Sequence, residues 1–158
     1  MPEPLKRQKI TEGAILEINI ENEYFVYAQI LSKGLGYAFF DYRSTDKIED
    51  LNHLLKCKVL FIIGVYDYVI TRGLWKKIGT LPIRTELLIL PMKFIQDPYD
   101  LDRCDLYDPN TGQIIRATKA ACENLERVAV WAENHAEERI KDYYLNRPNV
   151  WVERLQLK

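Results

Sequence analysis

Residues 14–42 read AILEINIENEYFVYAQILSKGLGYAFFDY, and the patterning of this stretch decides the fold. AILEINI (14–20) alternates apolar and polar side chains with period two, the mark of a half-buried strand. Glu21-Asn22-Glu23 supplies a turn. YFVYAQIL (24–31) is rich in aromatic and β-branched residues, as strands are. Gly34 and Gly36 bracket the next reversal, and LGYAFFDY (35–42) follows it. Three such runs joined by short turns make a β-meander.

Outward from the meander, residues 1–12 form a polar lead-in. In STDKIEDLNHLLKC (44–57), Ile48, Leu51, Leu54 and Leu55 recur at helical spacing, which fits a short helix or helical crossover. VLFIIGVYDYVI (59–70) is apolar enough for a central strand. ELLILPMKFI (86–95) adds another, with Pro91 confined to a strand start, an edge or a bulge because it cannot donate to a ladder. DLYDPNTGQIIRA (105–117) reads as a hairpin, with Pro109 where φ near −65° is wanted and Gly112 where φ turns positive.

After Thr118 the period changes. Ala121, Leu125, Val128, Ala132, Ala136, Ile140 and Tyr143 form one 3.6-residue stripe that would suit a single long helix. The compact block VAVW (128–131) and Asn124, a left-handed helix stop, favour a different division. That division is a short helix, an extended 125–131 segment, and a helix from about 134 to 146 capped by Asn134. VWVERLQL (150–157) reads as a closing strand. The expected class is mainly β (α+β): a curved antiparallel sheet or partly open β-barrel with a C-terminal helix, in one domain spanning residues 1–158.

The bulk numbers are compatible with that. A chain of 158 residues buries roughly 68–70% of its unfolded surface, so a core needs no metal or disulfide. A net charge of −1 argues against a DNA-packaging or polybasic membrane protein. Cys57, Cys104 and Cys122 are odd in number and lack metal-site spacing, so they read as free thiols of a reducing compartment. MPEPLKRQKITEG shows no apolar signal core, and the longest apolar run, VLFIIGVY (59–66), falls short of the ~20 residues a membrane span needs. A cytoplasmic location without membrane attachment is expected.

Catalytic, metal and cofactor signatures are missing: no GxSxG, HExxH, GxGxxG, P-loop or zinc-ligand spacing occurs. His53 and His135 have no nucleophile or orienting partner beside them in sequence, so both read as packing or solvent-facing residues. The expectation is no enzyme, no metal and no cofactor. Two stretches remain. QDPYDLDRCDLYD (96–108) holds five aspartates against Arg103, a net −4. It is not a calcium loop, since the twelfth position from Asp108 is Lys119 rather than a bidentate glutamate. It is either a solvated loop or an acidic contact surface made by Asp97, Asp100, Asp102, Asp105 and Asp108 with Tyr99 and Tyr107 as anchors. RGLWKKIGTLPI (72–83), with Arg84 beyond it, carries four cations around Trp75. A single aromatic is a poor stacking platform for nucleic acid, and Leu74, Ile78, Leu81 and Ile83 read as buried anchors. This stretch is first a fold signature, with Trp75 in the core.

GAILEINI (13–20), the run from Tyr24 to Leu31, GYAFFDY (36–42), LWKKIGTLPI (74–83) and LPMKFI (90–95), in that order, resemble the Immunity protein 26 family. WKxIGxxP is the most distinctive piece. The tail ATKAACENLERVAVWAENHAEERI (117–140) looks like the family's C-terminal portion, so the resemblance runs from about residue 10 to 146. The 96–109 loop and the residues after Arg147 fall outside its pattern. The resemblance implies a bacterial polymorphic-toxin immunity protein: no enzymatic activity, and a cognate protein toxin, nucleases among the candidates, as partner. Many antibacterial toxins attack nucleic acid with basic clefts, which an acidic loop would complement. The alternative is a small β-barrel binding module for nucleic acid or a small ligand, resting on the 72–84 cations.

Overall fold

The computed structural model describes residues 4–158, so the first three residues of the polar lead-in lie outside the described residues. In chain order the strands are β1 (Ala14–Ile20), β2 (Tyr24–Ser32), β3 (Gly36–Ser44), β4 (Val59–Val65), β5 (Lys76–Thr80), β6 (Lys93–Gln96), β7 (Cys104–Tyr107), β8 (Ile114–Ala117), β9 (Glu126–Arg127) and β10 (Val130–Trp131). The α-helices are α1 (Asp67–Thr71), α2 (Glu133–Tyr144) and α3 (Val150–Leu155). The class is mainly β, as the patterning predicts. The chain divides into two compact units, one of residues up to Leu88 with Val130–Glu137, the other of Ile89–Ala129 with Glu138–Lys158.

The first unit carries a six-stranded sheet in the order β10-β4-β3-β2-β1-β5. Every pairing is antiparallel except β10 with β4. The sheet does not close on itself, so the open form of the expected architecture is the one adopted. The meander turn is tight because Glu21 and Asn22 both take positive φ, and the Asn19 side chain accepts from the Asn22 amide. Register breaks at Ile15/Leu16, Val26/Ala28, Ile30/Ser32 and Phe39/Phe40 mark bulges, which bend strands and add twist. β2 is buried from Val26 to Leu31, which is why YFVYAQIL is nearly continuously apolar rather than alternating.

On one face of this sheet Ile15, Tyr27, Phe40, Leu54 and Leu81 pack together. Leu54 comes from a 3₁₀ turn at Leu51–Lys56, the short helical crossover expected within 44–57. Two polar groups inside are tied into this packing: the Gln29 amide donates to the carbonyls of Gly13 and Leu81, and the Tyr27 hydroxyl accepts from the Ile48 amide. A second aromatic cluster sets Phe39 against Phe61 and, edge to face at 5.6 Å, against Trp75.

The second unit holds a four-stranded sheet in the order β8-β7-β6-β9. Phe94, Cys104 and Cys122 are its buried centre, with Leu106, Ala117, Leu125 and Leu157 packed around them. The predicted hairpin forms with Pro109 in its loop and Gly112 at φ +80°. Asp142 binds Arg147 through an ion pair and the Asn149 side-chain amide at 2.8 Å. Burial alone would raise the Asp142 carboxyl, but these partners outweigh it and hold the carboxyl below its ordinary range.

Several segments depart from the sequence reading. VLFIIGVYDYVI is strand only to Val65 and then turns into α1, whose Val69 and Ile70 are buried. At the head of ELLILPMKFI a 3₁₀ turn, Thr85–Leu87, takes in its first two residues, and only the end of the run pairs, starting two residues after Pro91. VWVERLQL is helical, not a strand: the Asn149 side chain accepts from the Val152 amide and caps α3. A short apolar run fits either period, and the cap decides. The division of 118–146 follows the split reading, with a 3₁₀ turn at Ala120–Cys122, Asn124 at φ +64° and extended β9 and β10 before α2. Asn134 lies inside α2, which starts at Glu133 and ends at Tyr144, so it is not the cap. Among the described residues no helix is long and apolar enough to cross a membrane.

Candidate interaction surface

RGLWKKIGTLPI folds as the loop after α1, then β5, and its cations are spent on the protein itself. Arg72 stacks over the Tyr68 ring at 5.3 Å. The Lys77 ammonium donates to the Lys9 carbonyl and the Thr11 hydroxyl, and its backbone amide donates to Gln8 Oε1. Arg84 Nη1 donates to the carbonyls of Leu55 and Cys57, its Nε lies 3.1 Å from the Glu86 carboxylate, and its guanidinium covers the Phe40 ring. Trp75 is 1% exposed, and its indole N–H donates to Glu137. The stretch is a fold signature through Trp75 and Leu81, which are buried, with Ile78 and Ile83 half-buried; Leu74, expected as a buried anchor, is 38% exposed.

The two histidines are placed as the sequence suggests. His53 stacks on Tyr42, with centroids 6.4 Å apart and planes at 7°, at the rim of an open groove of about 930 Å³. His135 sits partly exposed on α2. Among the described residues no group of three or more His, Cys, Asp or Glu side chains is placed to hold a metal ion.

The seven residues of the acidic stretch are dispersed along β7 rather than gathered in one patch. Asp97, Tyr99, Asp100 and Asp102 occupy the turn from β6 to β7, Asp105 and Tyr107 lie on β7, and Asp108 opens the turn to β8. At roughly 3.4 Å per strand residue, the two turns sit on the order of 15 Å apart. Asp97 is a turn-former: its carboxylate accepts the amides of Tyr99 and Asp100. Asp108 does the same in the hairpin, accepting the Asn110 amide, and this bond and the Asn110 side chain hold its carboxyl below the ordinary range. Asp105 is paired at 3.0 Å with Arg116 across the β7–β8 ladder. Tyr107 is half-buried. The residues presented outward are Tyr99, which is 98% exposed, and its exposed neighbours Asp100 and Asp102.

The sequence reading predicted β8 as an arm of the hairpin but not its open edge. Ile114 and Ile115 are 56% and 46% exposed on a strand that pairs with β7 alone among the described strands. The β-branched pair was legible in the hairpin arm, but its edge position was not, since strand order is set by the whole sheet.

An open six-stranded sheet in one unit and, in the other, a smaller sheet whose turns and edge present acidic, aromatic and aliphatic side chains are the frame of a protein-binding scaffold. The sequence model of the Immunity protein 26 family matches residues 11–105, and the chain belongs to that family. The match spans β1 to β6 and ends inside β7 at Asp105. It therefore includes Asp97, Tyr99, Asp100, Asp102 and Asp105, a loop that the resemblance had left outside the family pattern, and it stops short of 117–140. Comparison with curated proteins and with solved structures returned no match. The protein has an immunity function, its partner is a toxin in the general sense, and the family is generally non-enzymatic.

Proposed function

We propose that this protein neutralises a cognate bacterial toxin by binding it, acting in the cytoplasm of the producing cell as one functional domain of residues 1–158 with no chemistry of its own. The contact surface is centred on the turn from β6 to β7, with Tyr99 as the anchor and Asp100 and Asp102 as the charges that meet a basic toxin surface such as a nuclease cleft. Asp97, Asp105, Tyr107 and Asp108 shape and flank this surface. The observation that carries the reading is Tyr99, 98% exposed between carboxylates that also face solvent. A large aromatic held in water is costly to a monomer and valuable at an interface, where binding energy concentrates in aromatic and arginine side chains.

The test is binding kinetics against the toxin domain encoded beside the gene, at two salt concentrations. Exposed rim charges act on association, so the Asp100→Asn/Asp102→Asn pair slows it and weakens its salt dependence. Tyr99→Ala speeds dissociation, by about tenfold or more if it is an anchor. Both variants keep the wild-type melting temperature, because neither side chain is buried. Unchanged rates in the folded variants would remove this turn from the interface.

A further inference from the structure

Among the described residues, three of the four sheet edges are protected. β9 and β10 are two residues long, too short to template a partner. β5 carries Lys76 and Lys77 and has the Lys77 amide already taken by Gln8. β8 differs: it has four residues, no proline, no lysine, and one charge, Arg116, which is held by Asp105.

The hydrogen-bond phase of this edge follows from the ladder. The Asp108 amide donates to the Gln113 carbonyl, and β7 and β8 are antiparallel with Tyr107 opposite Ile114, Leu106 opposite Ile115 and Asp105 opposite Arg116. In an antiparallel pair bonded and non-bonded positions alternate. Gln113, Ile115 and Ala117 therefore direct their backbone groups at β7, and Ile114 and Arg116 direct theirs away from it. The Asp97 amide donating to Arg103 fixes the opposite phase on the β6 side, so the assignment is consistent across β7. The edge thus offers two N–H and two C=O groups, flanked by an exposed isoleucine on each face of the strand.

We propose that β8 is a docking edge on which an extended segment of the toxin adds as a fifth strand, in the order toxin-β8-β7-β6-β9. This rests on the toxin-binding reading above and specifies its mode. Main-chain bonds to Ile114 and Arg116 supply register, and alternate apolar side chains of the segment cover Ile114 and Ile115. Charge sets which part of the segment lies where. Ala117 is in register with Cys104, so the acidic turn of Asp100 and Asp102 stands at the Ala117 end of β8. The segment therefore carries lysine or arginine at the end that meets this turn, and β-branched or other apolar residues along the strand.

Two measurements test it with the full chain. The first is amide hydrogen exchange of the wild-type protein, alone and with the toxin domain. The Ile114 and Arg116 amides exchange fast in the free chain and become protected in the complex. The second is a proline variant. Ile114→Pro removes an outward N–H without breaking a bond to β7, and edge strands tolerate proline in that position. It weakens toxin binding by about tenfold or more, while Ile114→Thr, which keeps the amide and the branching, stays near wild type. Protection absent at both amides, or Ile114→Pro binding like wild type, overturns strand addition. If Asp100→Asn/Asp102→Asn still slows association in that case, the toxin surface stands and only its mode falls. Protection of Ile114 and Arg116 in the free chain, rising with concentration together with a doubled mass by light scattering, would make the occupant a second copy and overturn the proposal. A toxin domain that does not bind at all overturns both readings.

Discussion

The indole Nε1–H of Trp75 donates to the Glu137 carboxylate at 3.3 Å, joining the stretch after α1 to a helix whose start lies 58 residues further along the chain. The backbone amide of Trp75 donates to the Val69 carbonyl, and its ring meets Phe39 edge to face. Its neighbours therefore come from α1, β3 and α2. Trp75→Ala keeps the backbone bond, removes the indole's contacts with Glu137 and Phe39 and leaves a cavity, at a cost of about 3–5 kcal/mol. Chemical denaturation measures it. Wild-type stability with lost toxin binding would instead make Trp75 a contact residue.

Glu137 also sets a pH dependence. Burial pushes its carboxyl above the ordinary glutamate range, the Trp75 hydrogen bond pulls down, and Glu133 adds to the rise. The folded chain then holds this proton more tightly than the unfolded chain does, so the group's contribution falls as pH rises from the ordinary glutamate value through the raised one. Glu137→Gln keeps an acceptor for the indole and abolishes the titration. The stability of the variant relative to wild type should grow with pH across that window and stay constant on either side. A difference independent of pH from 4 to 8 would show that the carboxyl is not raised.

Gly73 is at φ +77°, and a Cβ there would stand 2.3 Å from the Lys6 carbonyl oxygen. The N-terminal segment lies against this glycine and is pinned by Gln8, whose amide donates to the carbonyls of Ile70 and Trp75. Gly73→Ala combines a left-handed backbone with that overlap, costing about 1–3 kcal/mol. Limited proteolysis should then cut the variant among residues 4–12 well before wild type. Equal resistance would show that the segment can shift without leaving its seat.

The cysteines are free, Cys57 partly exposed and Cys104 and Cys122 buried in the core of the smaller sheet. Burial pushes the Cys57 and Cys122 thiols up, so neither is a strong nucleophile at neutral pH. A thiol reagent should label Cys57 slowly in the native protein and all three after unfolding without reductant. Recovery of one thiol alone after unfolding would reveal a disulfide.

The short, strongly apolar runs of residues 14–42 and their turns determined the meander by themselves, although the period-two reading of 14–20 as half-buried does not hold: β1 is buried on both faces, Glu17 included, with only Asn19 exposed. The hairpin turn at Pro109 and Gly112 and the left-handed Asn124 were equally local, set by single-residue backbone preference. Trp75 was legible as core from its apolar neighbours. What local pattern could not decide was anything set by a partner distant in sequence. Residues 150–157 carry apolar residues compatible with a strand or a helix, and they are helical because Asn149 caps them while Arg127 binds the carbonyls of Leu155 and Gln156. The five aspartates look like one patch because they are close in sequence. A strand separates its two ends by its full length, so β7 divides them between two turns and pairs Asp105 with Arg116. The open edge at β8 was hidden for the same reason: strand order is a property of the whole sheet, and only the tertiary structure decides which ladder ends without a neighbour.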